Sequence, residues 1–204
     1  SVHRRDNSMI PALILAAGAS RRMGSPKALL TIGEKTFLQH IAGTLQSASI
    51  SDIAIVLGAD SDAIRKTLTW FRGRILINDH WHNGQLSSII AGLDAIDAPQ
   101  IDGVMICPVD HPLFSTELLV EMLGAFYSSG KRIIIPVYDG RNGHPVIFHR
   151  SLFNELRSAS AGTGARVVVQ NHRDEVFQVS TRERGVLINI DTMEDYGKEI
   201  LHDP

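Results

Sequence analysis

Apolar and polar positions along the chain follow two distinct rhythms. Five short runs, 12–16, 53–57, 75–78, 103–108 and 132–137, are apolar with few polar interruptions. Strands buried on both faces of a parallel sheet read this way, because neither face meets water. Between them, 37–48, 62–70, 86–96 and 116–128 carry helical patterns. Strand and helix alternate several times, which predicts an α/β fold with right-handed crossovers. Past residue 137 the rhythm changes. Tyr138-Asp-Gly-Arg-Asn-Gly143 is a turn cluster and a strand resumes over 144–148, so a hairpin or excursion is expected. Short helices near 152–157 and 164–171, late strands over 176–179 and 186–190, and a terminal helix over 192–201 complete the pattern. With no repeat, low-complexity tract or linker, residues 10–204 read as a single domain behind a polar arm, residues 1–9.

Composition narrows the class. The 204 residues are 44% hydrophobic and 21% charged, which suits a globular chain with a sizeable core. Lys and Arg number 20 against 22 Asp and Glu, and the net charge of −2 gives no field to hold nucleic acid. Any phosphate site must therefore be local. Cys107 is the single cysteine, which excludes an internal disulfide and a cysteine-based zinc cluster; inside Val104-Met-Ile-Cys-Pro108 it reads as a buried thiol. No apolar stretch approaches the ~20 residues that span a bilayer, and the opening residues lack a signal-peptide apolar region. A cytoplasmic location without a membrane partner is expected.

Candidate chemistry begins where the first strand breaks into a loop, Ala16-Ala17-Gly18-Ala-Ser20-Arg21-Arg22-Met-Gly24-Ser-Pro-Lys27. A glycine-rich turn after a first strand can present backbone N–H groups to an anion. Five residues separate Gly18 from Gly24, one too many for a Walker loop, and Lys27 is not followed by Ser or Thr. Ser20 stands where a dinucleotide fingerprint needs its second glycine. Neither familiar loop fits, yet Arg21, Arg22 and Lys27 with the loop amides suit a triphosphate, each charge-assisted bond being worth about 1.5–3 kcal/mol. The run 103–108 leads to Asp110-His-Pro112, which puts a carboxylate at a strand's carboxyl end, where such sheets bind ligands. Magnesium is usually held by one or two carboxylates plus substrate phosphates, so Asp110 reads as a metal ligand. Val186-Leu-Ile-Asn-Ile-Asp191 repeats the logic, and Thr192 with Asp195 has capping-box spacing. His80 and His82, two apart in a loop, make a poor zinc pair.

The pattern Gly-x-Ser-x-Arg-Met-Gly-x-x-Lys, from Gly18 to Lys27, closely resembles the signature of the MobA-like nucleotidyltransferases, above all the branch that makes molybdopterin cytosine dinucleotide. Asp110-His-Pro112, Gly84-Gln85 with Ser88, Gly143-His144-Pro145, Gly164-Ala165-Arg166 and Asn189-Ile-Asp191-Thr-Met-Glu-Asp-Tyr196 match further family elements in order. The chain departs from them at Met193, where proline is usual, and at 161–163, which lack an aspartate. The resemblance implies a three-layer, Rossmann-like, mostly parallel α/β domain of the nucleotide-diphospho-sugar transferase type. It implies nucleotide binding by Ala16, Ala17, Gly18, Ser20, Arg22, Gly24, Lys27, Gln85, Ser88 and Asp110, with Arg22, Lys27 and Asp110 catalytic. Asp110 and Asp191 would hold Mg2+, and Arg21 occupies a variable position. His144 and Arg166 fall on the acceptor side, where His144 either bonds an acceptor phosphate or caps the hairpin turn. His111, where relatives often carry glutamine, receives no role, and Trp81 reads as packing.

The reaction implied is transfer of CMP from CTP to the phosphate of molybdopterin, with release of pyrophosphate. Leu15-Ala-Ala-Gly18 favours CTP, since the guanylyl branch tends to carry a second glycine where Ala17 stands; GTP stays open. A molybdoenzyme is the expected recipient of the product. Two alternatives stand beside this reading: transfer to a sugar phosphate or another small phosphorylated metabolite, and a non-catalytic maturation factor that carries a nucleotide-bearing cofactor.

Overall fold

A computed structural model describes residues 9–202; the stretch 1–8, most of the expected arm, lies outside them. Strands β1 (Ala12–Ala16) and β4 (Ile53–Leu57) pair parallel over their full length, and β6 (Gly103–Pro108) pairs parallel on the other side of β1. β5 (Arg74–Ile77) extends this half beyond β4. In the other half, β9 (Val146–His149) runs antiparallel between β6 and β7 (Ile133–Tyr138), and β10 (Val176–Ser180) lies parallel to β7 at the edge. The short β8 (Arg141–Asn142) folds back on the end of β7, which is the excursion that the turn cluster predicts. The resulting order is β10-β7-β9-β6-β1-β4-β5.

Every residue of β1, β4 and β6 is buried, as their unbroken apolarity requires. Successive side chains point to opposite faces. Ala12, Ile14, Ala16, Ile53, Ile55 and Leu57 enter one core with helices α1 (Phe37–Ser47) and α4 (Thr116–Ser129). Leu13, Leu15, Ala54 and Val56 enter a second core with α3 (Gln85–Ile96), α5 (Phe153–Ser158) and α6 (Arg166–Asn171). Helices on both faces make three layers, and each fully buried Leu, Ile or Phe contributes roughly 1.5–3 kcal/mol. Helix starts follow local chemistry. Thr36 and Gln39 form a reciprocal capping box on α1, and the Ser115 hydroxyl accepts the Leu118 N–H on α4. The box expected of Thr192 and Asp195 caps α7 (Met193–Tyr196), after which the backbone widens into a π turn over Gly197–Leu201.

Two expectations need correction, and one element was not expected. Residues 186–190 are not a strand: the chain makes a 3₁₀ turn over Arg184–Leu187 and then crosses the carboxyl ends of the strands. Gly185 lies against the Leu113 carbonyl, where a side chain would collide, and the Val186 carbonyl accepts the His144 N–H. The burial of Val186 and Ile190, which makes the run look like a strand, comes from plugging the core instead. The helix expected over 62–70 breaks into α2 (Ser61–Arg65) and a 3₁₀ turn at Leu68–Trp70. A small hairpin of β2 (Thr31–Ile32) and β3 (Lys35–Thr36), turning at Gly33 with φ +60°, has too few apolar residues to announce itself.

Candidate active site

The chain leaves β1 toward β4 and β5 on one side, then returns through α3 to β6 on the other. A crevice therefore opens beyond the carboxyl ends of β1 and β6, the switch point where open α/β sheets take ligands. The loop after β1 enters this crevice. Its two ends are tied together by the Lys27 N–H, which donates to Ser20 Oγ at 2.9 Å, and Gly24 takes φ +70° at the bend. The Ala17 carbonyl accepts the Ala59 N–H beyond β4, and the Val109 N–H donates to Leu15 O, so both walls are pinned to β1.

A cavity of about 170 Å³ lies under this loop, lined by Ala16, Ala17, Gly18, Ser20, Lys27, Gln85, Ser88 and Asp110 among others. Eight of the ten residues expected to bind nucleotide thus share one lining. The other two, Arg22 and Gly24, are exposed on the outer bend and are not part of it. Arg22 acts on Asp195, whose carboxyl is held below its ordinary value first by the Asp191 N–H and last by the Arg22 charge. Trp81, expected only to pack, also lines the cavity. It can close in because Gly58 has no side chain: a Cβ there would sit 2.5 Å from Trp81 Cβ and 2.8 Å from Ala17 O. Asn78, buried at the end of β5, donates to Ser88 Oγ at 3.0 Å and Ser87 Oγ at 2.9 Å, fixing the start of α3.

At the mouth stand three charges. Lys27 Nζ bonds Asp191 Oδ1 at 2.6 Å and lies 3.9 Å from Asp110 Oδ2. The crossing segment delivers Asp191: the Ile190 N–H donates to the Asp110 carbonyl at 2.8 Å, Asn189 Nδ2 holds Asp191 Oδ2 at 2.7 Å, and the Asp191 N–H donates to Asp195. Burial raises the Asp110 carboxyl above its usual range against the pull of Lys27, and the Asp191 charge raises it further. One ammonium thus faces two carboxylates, leaving an excess of hard, anionic oxygens that a divalent cation of the magnesium type fits. Among the described residues no group of three or more His, Cys, Asp and Glu gathers as a metal cage, so phosphate oxygens and water would complete the coordination.

His111 and His144 meet beside this cluster. Their ring centroids are 4.2 Å apart at 43°, and His111 Nε2 is 4.0 Å from Asp110 Oδ1. Burial pushes both imidazoles down to about 4, so the pair is neutral near pH 7. Sequence reasoning passed over His111; its one signal is its place directly after Asp110. His144 continues into a second cavity of about 600 Å³ with an apolar floor that includes Ile106, Ile135 and Phe148, and Arg166 lines the same cavity. The two residues expected on the acceptor side are therefore together. Gln85 lines both cavities and joins them.

Residues 12–176 match the model of the MobA-like NTP transferase domain. The chain is 29% identical over 202 residues to the nicotine blue oxidoreductase of Paenarthrobacter nicotinovorans, covering 93% of this chain and 95% of that protein. It is 31% identical over 140 residues to a probable molybdenum cofactor guanylyltransferase of Bacillus mycoides, covering 66% and 64%. Its fold superposes on that of Rv0371c from Mycobacterium tuberculosis with a TM-score of 0.83 at 24% identity, over 94% and 97% of the two chains; another structure of that protein is a complex with manganese. No helix among the described residues is long and apolar enough to cross a membrane. The matched segment holds the loop after β1, Gln85, Asp110, His144 and Arg166, and the chain belongs to the MobA-like NTP transferase domain family.

Proposed function

We propose that this protein transfers a nucleotidyl group, CMP from CTP, to the phosphate of molybdopterin. One observation carries the reading: Lys27, Asp110 and Asp191 converge at the sheet's switch point, with one cavity under the β1 loop, another beside His144, and Gln85 lining both. A nucleotide under the loop and an acceptor in the second cavity would meet at that cluster. An acceptor phosphate oxygen attacks the α-phosphorus, the bond from that phosphorus to the bridging oxygen breaks, and pyrophosphate leaves with the electron pair. Such a step needs positioning and charge neutralisation rather than a covalent nucleophile. Lys27 is placed to exchange its carboxylate partners for phosphate oxygens. The loop N–H groups would cradle the triphosphate, and neutral His144 would offer a hydrogen bond to the acceptor without adding a charge. Asp110 and Asp191 would hold Mg2+, which when bound supplies positive charge to the phosphates and the leaving group. Manganese in the fold neighbour is consistent with a divalent site.

Buried Ala17 supports CTP, since it lines the first cavity where a glycine would leave more room. The name guanylyltransferase on a relative favours GTP as the second reading. Incubation with molybdopterin, Mg2+ and radiolabelled CTP or GTP decides between them. CTP-dependent pyrophosphate release with label on the acceptor is the expected result, and label from GTP alone would replace CTP. Release only with a sugar phosphate would change the acceptor. Tight binding without release would make the protein a carrier, and redox turnover without pyrophosphate would align it with the oxidoreductase relative.

A further inference from the structure

The cavity under the β1 loop has two chemically unlike ends. Asp110 lies beyond the end of β6, and Lys27 faces it across the mouth. Trp81 reaches the lining from the opposite direction, over the end of β4, where it covers Gly58. Since β6 and β4 flank β1, two strand spacings, roughly 10 Å, separate the charged end from the indole. Lys27 and Asp110 are the charged residues of the lining, and the rest of it includes Ala17, Ile64, Gln85 and Ser88.

A buried polar framework, not a core, holds Trp81 in this place. Asn78 Oδ1 accepts the His80 N–H at 2.9 Å, and Ser87 Oγ, itself bonded by Asn78, donates to the His80 carbonyl at 3.0 Å. The Gly84 N–H closes the 3₁₀ turn Trp81–Asn83 on the Trp81 carbonyl at 3.1 Å. The backbone of Trp81 is thus fixed from both sides. Its ring differs from that of the other tryptophan. Among the described residues that build or flank the two cores, Trp70 is present and Trp81 is not. A glycine at position 58 is what lets the ring approach, because a Cβ there would fall 2.8 Å from Trp81 Cγ. A large apolar ring, half-buried on a glycine beside a cavity, serves a ligand better than it serves the fold.

We propose that the Trp81 indole is the wall on which the base of the bound nucleotide stacks, with Gly58 the gap that admits the ring. A base is flat and uncharged and suits the indole end, while the triphosphate reaches back to Lys27 and the loop amides. Aromatic stacking tolerates any base, because every base has a π face. Trp81 therefore supplies affinity common to cytosine and guanine, and the choice between them falls to Ala17, Gln85 and Ser88. This rests on the nucleotide reading of the first cavity, and it adds Trp81 as a binding residue.

Two measurements test it. The chain has two tryptophans, so Trp70→Phe leaves Trp81 as the single indole fluorophore. In that variant CTP and GTP should each quench the emission, corrected for their own absorbance, and inorganic tripolyphosphate should leave it unchanged. An equal response to tripolyphosphate overturns the wall, as does unmoved emission when equilibrium dialysis shows the nucleotide bound. Dialysis also gives the size of the effect. Trp81→Leu should raise the Kd of CTP and of GTP about ten-fold each, and Trp81→Phe should recover most of the loss. The Kd of tripolyphosphate should stay within about two-fold in both variants. An unchanged nucleotide Kd in Trp81→Leu overturns the proposal, and so does a loss confined to one nucleotide. An equal loss for tripolyphosphate would mean a collapsed loop and overturns it too. Stacking without pyrophosphate release from any acceptor would defeat the transfer reading and leave the wall standing, whereas no binding of either nucleotide would defeat both.

Discussion

Lys27 stands where a cation bound between Asp110 and Asp191 would otherwise be drawn. With its ammonium 2.6 Å from Asp191, it satisfies in the nucleotide-free protein the charge that a divalent ion would neutralise during turnover. Lys27→Met should therefore separate two properties. Mn2+ binding without nucleotide, followed by electron paramagnetic resonance, should tighten at least about ten-fold, while turnover falls by a hundred-fold or more through loss of a phosphate contact. Arg21→Ala, at an exposed position outside the cavity lining, should leave both near the parent values. Equal turnover losses in the two variants would mean that the loop's summed charge matters rather than the place of Lys27. Ala17 offers a finer test. Its carbonyl is pinned by Ala59 and the residue lines the cavity, so Ala17→Gly should enlarge the base side without moving the strand. One methyl in a pocket is worth about 1–3 kcal/mol, so the CTP to GTP ratio of kcat/KM should fall without inverting. An unchanged ratio would move base selection to Gln85 and Ser88.

Among the elements, the five early strands and three of the four early helices are legible because burial dictates their composition. β1, β4 and β6 have no polar residue to hide, and α1 carries its cap in Thr36 and Gln39. The site is legible for the same reason: Asp110 ends a strand whose pattern is unambiguous, and its neighbours follow from the loop before it. Residues 186–190 mislead because an apolar run says that side chains are buried but not what the backbone bonds to, and here the Val186 carbonyl is taken by a loop N–H. His111 goes unread because its importance lies in meeting His144 across 33 residues of sequence, which no local pattern records. The far helices are joined by charge. Glu155 on α5 accepts from His172 Nε2 at 2.6 Å and from Asn171 Nδ2 at 3.3 Å, and these bonds hold its carboxyl below the usual glutamate range. A depressed carboxylate stabilises the fold above its unfolded pKa, and that contribution is lost as pH falls through the lower folded value. Glu155→Gln should thus destabilise the fold at pH 7 by under about 1 kcal/mol, since solvent screens the pair, and lower the melting temperature accordingly. The difference should close under acid conditions; a deficit of equal size at all pH values would mean packing rather than charge.

At the scale of the whole molecule, two halves of the sheet contribute unlike things. The parallel half, β5-β4-β1-β6, supplies the loop and Asp110, while the mixed half supplies His144 and Arg166 of the second cavity. The segment after β10 is what joins them. It ties α4 through Glu183, whose carboxylate accepts from the Ser115 N–H at 2.9 Å and hydroxyl at 2.6 Å. It also fills the core with Val186, Ile190 and Tyr196. Ending the chain after Ser180 keeps all ten strands yet removes these three buried side chains, each worth roughly 1.5–3 kcal/mol. Against a typical total of about 5–15 kcal/mol, that loss should broaden and lower thermal unfolding. Nucleotide-dependent Mn2+ binding should be lost with it, and retention of that binding would show that Asp191 is dispensable to the metal site.

The crossing segment has a consequence in time as well as in space. A ribosome releases β1 through β10 before it releases Asp191, so the sheet can begin to pack while the cluster at its mouth still lacks one of its carboxylates. Until residues 186–191 have passed over the strand ends, Lys27 lacks its 2.6 Å partner and has only Asp110, 3.9 Å away, to face. The nascent protein would therefore lack a complete metal and phosphate site, and competence would arrive late and all at once.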